Sequence, residues 1–316
     1  MSTQHIKMGG APEGYDAQLV LRELNAQEAP VVHIARDDKR MSAIAEALAF
    51  FAPDVPVIKF PAWDCLPYDR TSPSADVAAV RMATLAALVH DVPTGFVLLT
   101  TMNAATQRIP ARNILKESAF RAEVGRRIDE VALRNFLVRM GFTQAPTVME
   151  TGDYAIRGGI IDIFPPGHAS PVRLDLFGDV LDGARRFDVA TQRTTEKLDL
   201  IELAPMSEVI LDDAAIRRFR QNYRIEFGAA RTDDPLYESV SAGRKHQGVE
   251  HWLPFFHDGL NTLFDYLPKA TITIDDQVSP ARLSRWDTIV DQYETRKIAM
   301  DQKSRIDTMY KPISPE

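Results

Sequence analysis

The sequence predicts an α/β protein: a parallel-sheet domain followed by a second, α+β domain built on hairpins. Three observations predict it. Between residues 16 and 100, short, mostly apolar runs alternate with stretches of helical spacing, the pattern of βαβ units. Near residue 119 the period shifts, and runs that alternate every second residue take over. Glycine and proline then punctuate those runs: Gly158-Gly159 marks a bulge or a close backbone approach, Pro165-Pro166-Gly167 turns the chain and Gly178-Asp179 reads as a hairpin tip. The chain has 316 residues, enough for two or three domains with their own cores.

The elements follow in order. Asp16 to Asn25 has helical spacing in Leu19, Val20 and Leu24. Pro30 to Ala35 is a short, mostly apolar run interrupted only by His33, of the kind a strand buried on both faces shows. Asp37 or Asp38 caps the next helix, which carries Met41, Ile44, Ala45, Leu48 and Ala49 on one face. Val55 to Phe60 and Gly95 to Thr100 are further strands, separated by a helix from Ser74 to His90. After the shift, Phe120 to Val124 reads as a strand and Asp129 to Met140 as a helix stopped by Gly141. The α+β domain runs to about Pro205. Beyond Met206, helices are predicted over Asp212 to Phe227, Asp234 to Ser241 and Ser279 to Lys303, with a strand at Ala270 to Asp275. Tyr310 to Glu316 reads as a linker, which suggests a longer parent protein.

Composition excludes several classes. Hydrophobic residues make up 45% and charged residues 26%, as in an ordinary globular chain. The net charge of −7 argues against duplex DNA as the main ligand, because phosphate binding wants a basic excess. The single Cys65 excludes an intramolecular disulfide and a cysteine-based zinc site, and fits a reducing, cytoplasmic setting. No run approaches eighteen apolar residues and no signal-peptide core is present, so nothing points to a membrane.

A βαβ chain invites a search for a phosphate loop. Such a loop needs G-x-x-x-x-G-K-[ST], with glycines for close backbone approach, a lysine for charge and a hydroxyl for Mg²⁺. The nearest stretch runs from Gly10 to Ala17 and contains Gly14. In it Tyr15 takes the second glycine position, Asp16 the lysine position and Ala17 the hydroxyl position. Pro12 also removes an N–H donor, and a carboxylate facing a triphosphate repels it. No glycine lies between Gly14 and Gly95. The reading is a nucleotide fold that has lost its nucleotide, with no cofactor. His246, His251 and His257 lack metal-ligand spacing, no G-x-S-x-G occurs, and Cys65 has no neighbouring base in sequence. No catalytic residue and no metal site is assigned. Arg217, Arg218, Arg220 and Arg224 interleave with Ile216, Phe219 and Tyr223 at helical spacing, which predicts a solvated helix face.

One strand is chemically unusual. In Val172 to Phe177, parity sends Val172, Leu174 and Leu176 to the buried face and leaves Arg173 and Phe177 together on the wetter one. Ile161 and Ile163 form a buried pair in the preceding strand, with Asp162 opposed to them. An aromatic ring beside an arginine on a wet face has two readings. It is a protein-binding patch, since both residue types are enriched at hot spots. Alternatively, Phe177 packs under a helix of its own domain and the arginine is simply solvated.

These residues also carry a resemblance. Phe60 to Leu88 (FPAWDCLPYDRTSPSADVAAVRMATLAAL), Gly152 to Gly167 (GDYAIRGGIIDIFPPG), Arg173 to Asp179 (RLDLFGD), Phe187 to Thr194 (FDVATQRT) and His251 to His257 (HWLPFFH) resemble the N-terminal module of the bacterial transcription-repair coupling factor (Mfd) family. The resemblance implies a UvrB-like, degenerate RecA-like parallel-sheet domain split around an inserted α+β domain. In numbers, 1–118 is the first part, 119–205 the inserted domain and 206–316 the second part. It further implies that the inserted domain recruits UvrA through Arg157, Arg173 and Phe177. RNA polymerase and DNA would be engaged only by parts of the parent outside this chain. The resemblance also implies that a C-terminal domain of the full-length protein covers this face, so that the face is expected to be exposed where that domain is absent. One departure stands out: Pro61 to Ser74 is too short and too poor in tyrosine for the aromatic hairpin with which UvrB grips damaged DNA. The rival readings are a divergent nucleotide-binding or DNA-dependent ATPase fragment and a stand-alone UvrB-like DNA-binding adaptor.

Overall fold

The computed structural model describes residues 6–10, 12, 14–27, 29–90, 94–230, 234–301 and 310–315. The chain is mixed α/β and divides into two compact units. Met1–Ala62, Val92–Gln107 and Leu267–Leu283 form one; the remaining segments form the other.

The first unit is a four-stranded, wholly parallel sheet. Its strand order is Thr271–Ile274, Val31–Ala35, Val97–Thr101, Val57–Phe60. Both central strands are buried at every position, which is why they read as nearly continuous apolar runs, with only His33, Thr100 and Thr101 polar. The outer strand comes from far along the chain, and Val31 pairs directly with Thr271. The helices Tyr15–Ala26 and Asp38–Phe51 bury Ala17, Val20, Leu24, Met41, Ile44 and Leu48 in one cluster with Val31, Ala35, Val97 and Leu99. Ala49, expected on the buried face, stands exposed on the last turn. Asp37 is the cap: its carboxylate accepts from the Arg40 amide at 2.8 Å, satisfying one orphan donor of the first turn.

The second unit holds a six-stranded sheet in the order Thr194–Leu198, Val180–Phe187, Val172–Phe177, Ile160–Ile163, Asp153–Arg157, Thr143–Gln144. Its neighbours run antiparallel except the last pair. Ile161, Ile163, Val172, Leu174, Leu181 and Ala184 are buried. Leu176, expected among them, is only half-buried, because it lies one residue from the exposed strand end at Phe177. A separate aromatic cluster gathers Phe219, Tyr223, Trp252 and Phe256 from the helix Asp213–Phe227 and the segment around Val249–Phe255. Tyr310 joins it, and the Trp252 indole donates to the Lys311 carbonyl at 3.0 Å. The stretch read as a linker is therefore docked at its start, held by an aromatic contact of 4.8 Å between Tyr310 and Trp252.

The tip expected at Gly178-Asp179 is a two-residue hairpin turn between Phe177 and Val180, and Gly158-Gly159, expected to be a bulge or a close backbone approach, also closes a two-residue hairpin, between Arg157 and Ile160. Gly158 and Gly178 adopt positive φ, which favours glycine. Gly159 has a different reason. A Cβ there would lie 2.6 Å from the Leu176 carbonyl oxygen, on the strand whose amide donates to the Gly159 oxygen at 2.7 Å. Gly159→Ala is therefore expected to lower unfolding free energy by about 1–3 kcal/mol, read from urea titrations.

Candidate functional site: an arginine and phenylalanine face on the hairpin sheet

Antiparallel pairing carries the Arg157–Ile160 end of one hairpin beside the Phe177–Val180 end of the other. Ile160 faces Asp175 and Asp162 faces Arg173 across the two central strands. Arg173 in turn faces Arg185. Directly opposed residues project from the same side of a sheet. Arg157, Ile160, Asp162, Arg173, Asp175, Phe177 and Arg185 therefore share one face. Parity in the sequence had already joined Arg173 and Phe177; the register adds Arg157 and the acids between them.

Phe177 is 82% exposed, which rules out the reading of a ring tucked beneath a helix of its own domain. Ile160 is also exposed beside it. The two arginines, by contrast, are organised by an acid. Asp162 is fully buried. One of its oxygens accepts from Arg173 Nε at 2.7 Å. The other accepts from Arg173 Nη2 at 2.9 Å and from Arg157 Nη2 at 2.5 Å. A buried carboxylate is tolerable only when paired and hydrogen-bonded, and here two guanidiniums meet that need. Arg173 Nη1 donates further to the Gln192 carbonyl at 3.3 Å, and its guanidinium lies 4.7 Å from the Phe187 ring centre. The hydrogen bonds to Asp162 raise the Arg173 pKa above its usual value, outweighing the opposing effect of burial. Arg185 pairs with Asp175 at 2.7 Å on the same face.

Sequence reasoning placed Asp162 only as the residue opposed to Ile161 and Ile163. Its partnership with Arg173 depends on strand register, which a single sequence does not print. Gln192 was likewise missed. It adopts φ 58 in the turn before Thr194–Leu198, which brings its carbonyl within reach of Arg173.

The other candidates fall apart from this face. Ala11 and Glu13 of the loop from Gly10 to Ala17 lie outside the described residues. Asp16 opens the first helix and forms an ion pair with Arg40. Arg40 reaches Asp275 at 3.3 Å, and His33 Nε2 stands 3.5 Å from the same carboxylate. His33 and Arg40 hold the Asp275 pKa below the usual range although its burial pushes it up. At the C-terminal edge of the parallel sheet, where open α/β sheets bind ligands, the protein thus has an ionic cluster of its own. Of the helix arginines, Arg218 pairs with Asp258 at 2.6 Å. Arg220 and Arg224 both donate to the Tyr237 hydroxyl, and with Arg217 they are exposed as the spacing predicted. His251 stacks on Tyr68, and burial drops its pKa to about 4. Burial pushes the Cys65 thiol up to about 11, the opposite of what a nucleophile requires. Among the described residues no group of histidine, cysteine, aspartate or glutamate side chains is arranged to hold a metal ion.

Residues 120–209 match the UvrB interaction domain family, and these residues include the whole arginine and phenylalanine face. The class is thus a UvrB-like module. Over nearly all its length the chain is also similar to transcription-repair-coupling factors. It is 32% identical to that of Haemophilus influenzae over 99% of this chain, and 35% identical to that of Escherichia coli over 89%. The Myxococcus xanthus protein is 32% identical over 96%. The chain spans only about a quarter of each relative, 26%, 24% and 26% respectively. Along almost its whole length the chain is thus similar to part of the transcription-repair-coupling factors, and residues 120–209 within it are a UvrB-like module.

Proposed function

We propose that this chain is a non-catalytic recruitment platform that brings UvrA to lesions in transcription-coupled nucleotide excision repair. The observation that carries the proposal is Phe177, a large ring left in water next to Arg157 and Arg173 on a sheet face inside the UvrB interaction domain. Exposed aromatics flanked by arginine are what protein interfaces concentrate at their centres. On this reading 119–205 is the UvrA-binding domain. Residues 1–118 and 206–316 form a split UvrB-like domain whose nucleotide site has decayed, with Asp16 and Arg40 bound to each other where phosphates and a lysine would meet. RNA polymerase and DNA are engaged by other parts of the longer relatives, and the setting is cytoplasmic. No helix among the described residues is long and apolar enough to cross a membrane.

The test is a titration of purified UvrA into the folded chain, with Mg-ATP calorimetry as its counterpart. Saturable UvrA binding and no micromolar ATP binding are expected. Micromolar ATP binding without UvrA binding would favour the nucleotide-hydrolase reading instead.

A further inference from the structure

We propose that the helix Asp213–Phe227 carries a second interaction surface: a stripe of Arg217, Arg220 and Arg224, edged by Ile225, that receives an acidic segment of a protein partner. The stripe lies outside residues 120–209, so it stands apart from the UvrA reading. Positions three, four and seven apart share one face of a helix. Arg217, Arg220, Gln221 and Arg224 therefore line up over about 10 Å of helix. With Ile225 they line one open groove.

The charges on this face do not balance. Among the described residues none of the three arginines pairs with a carboxylate. Asp213, one turn before Arg217, pairs instead with Arg139 at 3.0 Å. Glu226 lies round the helix from the stripe, and Glu238, next to Tyr237, pairs with none of the three. Arg218 shows how this helix satisfies an arginine that serves the fold: Asp258 accepts two bonds from it, at 2.6 and 2.7 Å, and the Phe256 carbonyl a third at 2.8 Å. Arg220 and Arg224 have only the Tyr237 hydroxyl, which accepts from Arg220 Nε at 3.4 Å and from Arg224 Nε and Nη2 at 3.1 and 2.9 Å. One neutral oxygen thus gathers two like charges a turn apart, where they repel each other, and an anion would relieve that repulsion. Burial pushes the Tyr237 pKa up, yet the two guanidiniums pull it below its usual value, a mark of the same positive field. The helix dipole accounts for Arg224 in the last turn but not for Arg217 and Arg220 before it. Ile225 decides the class of anion. It is 73% exposed at the rim of the stripe. A protein segment can cover it with an apolar side chain, which a phosphate backbone does not offer. The net charge of −7 also opposes a long polyanion such as nucleic acid. The matching segment presents several carboxylates within about 10 Å, for the guanidinium forks, and one apolar residue beside them.

Fluorescence anisotropy with a labelled glutamate-rich peptide, carrying leucine at every fourth position, tests the stripe on the whole chain. The parent is expected to bind the peptide saturably at low salt. Arg220→Glu combined with Arg224→Glu is expected to weaken binding at least about tenfold. Arg121→Glu combined with Arg126→Glu makes the same change of net charge at exposed positions elsewhere and is expected to cost less than about twofold. Ile225→Ser is expected to cost about threefold. If the first pair does not fold, Arg220→Gln with Arg224→Gln removes the charge, keeps a donor for the Tyr237 hydroxyl, and is expected to cost at least about fivefold. The proposal is overturned if the parent does not bind the peptide, if the two glutamate pairs weaken binding equally, or if Ile225→Ser binds as the parent does. It is also overturned if labelled duplex DNA binds the parent more tightly than the peptide and loses that binding in the Arg220 and Arg224 pair, for the stripe is then a phosphate site. UvrA takes no part in this experiment, so its failure and the failure of the UvrA reading are separate events.

Discussion

Replacing Phe177 with alanine is expected to weaken UvrA binding at least about tenfold while leaving the melting temperature within about two degrees of the parent. The asymmetry follows from where the ring sits. It is 82% exposed, so truncation removes almost no buried area from the free protein and opens no cavity. Its role in the fold is confined to the cross-strand pair with Val180 at a hairpin tip, worth a few tenths of a kcal/mol to about 1 kcal/mol. In a complex the balance reverses. A phenyl ring moved from water into a pocket contributes about 2 kcal/mol or more at a hot spot, and about 1.4 kcal/mol is one decade of affinity. Calorimetric titration of UvrA reads the first quantity and thermal melting the second. A folded Phe177→Ala protein that binds UvrA as tightly as the parent would remove the ring from the interface.

The side of the sheet that carries this ring was legible in the sequence, although its exposure was not, and the reason is geometric. The strand period is two, so Val172 and Leu174 on the core side fix Arg173 and Phe177 on the other without knowledge of any neighbour. The Gly178-Asp179 tip was legible for the same local reason, since such a turn needs a residue that accepts positive φ, whereas Gly158-Gly159 showed only as a bulge or a close backbone approach. The parallel strands and their helices were also visible, because a strand covered on both faces is apolar at most positions. What failed to show was non-local. Thr271–Ile274 could be recognised as a strand, but not as the neighbour of Val31–Ala35. Thr194–Leu198 was missed because no residue in it is buried, leaving no alternation to see. Asp162 was seen and undervalued. One acid between two isoleucines looks like an ordinary outward side chain until the register sets Arg173 opposite and Arg157 diagonal to it.

That register decides how Arg173→Glu will behave, the second large effect expected. UvrA binding should fall at least about tenfold, the same order as for Phe177, but by a different route. The substitution removes the two-oxygen partner of a buried carboxylate and places a second carboxylate against it. Breaking a buried pair costs about 3–5 kcal/mol. At about 2–4 °C per kcal/mol for a unit of this size, the melting temperature should drop by about 10 °C, where Phe177→Ala leaves it in place. Loss of binding by Arg173→Glu alone therefore cannot identify Arg173 as a contact. Reversing the pair can. Combining Arg173→Glu with Asp162→Arg restores opposite charges across the same register position and should recover part of the lost melting temperature. It also puts a cation where Arg157 found its acceptor, so Arg157 is repelled from its position and UvrA binding should stay low. Recovery of stability together with full recovery of binding would mean that the direction of the ion pair is irrelevant to the partner, and that Arg157 does not depend on Asp162.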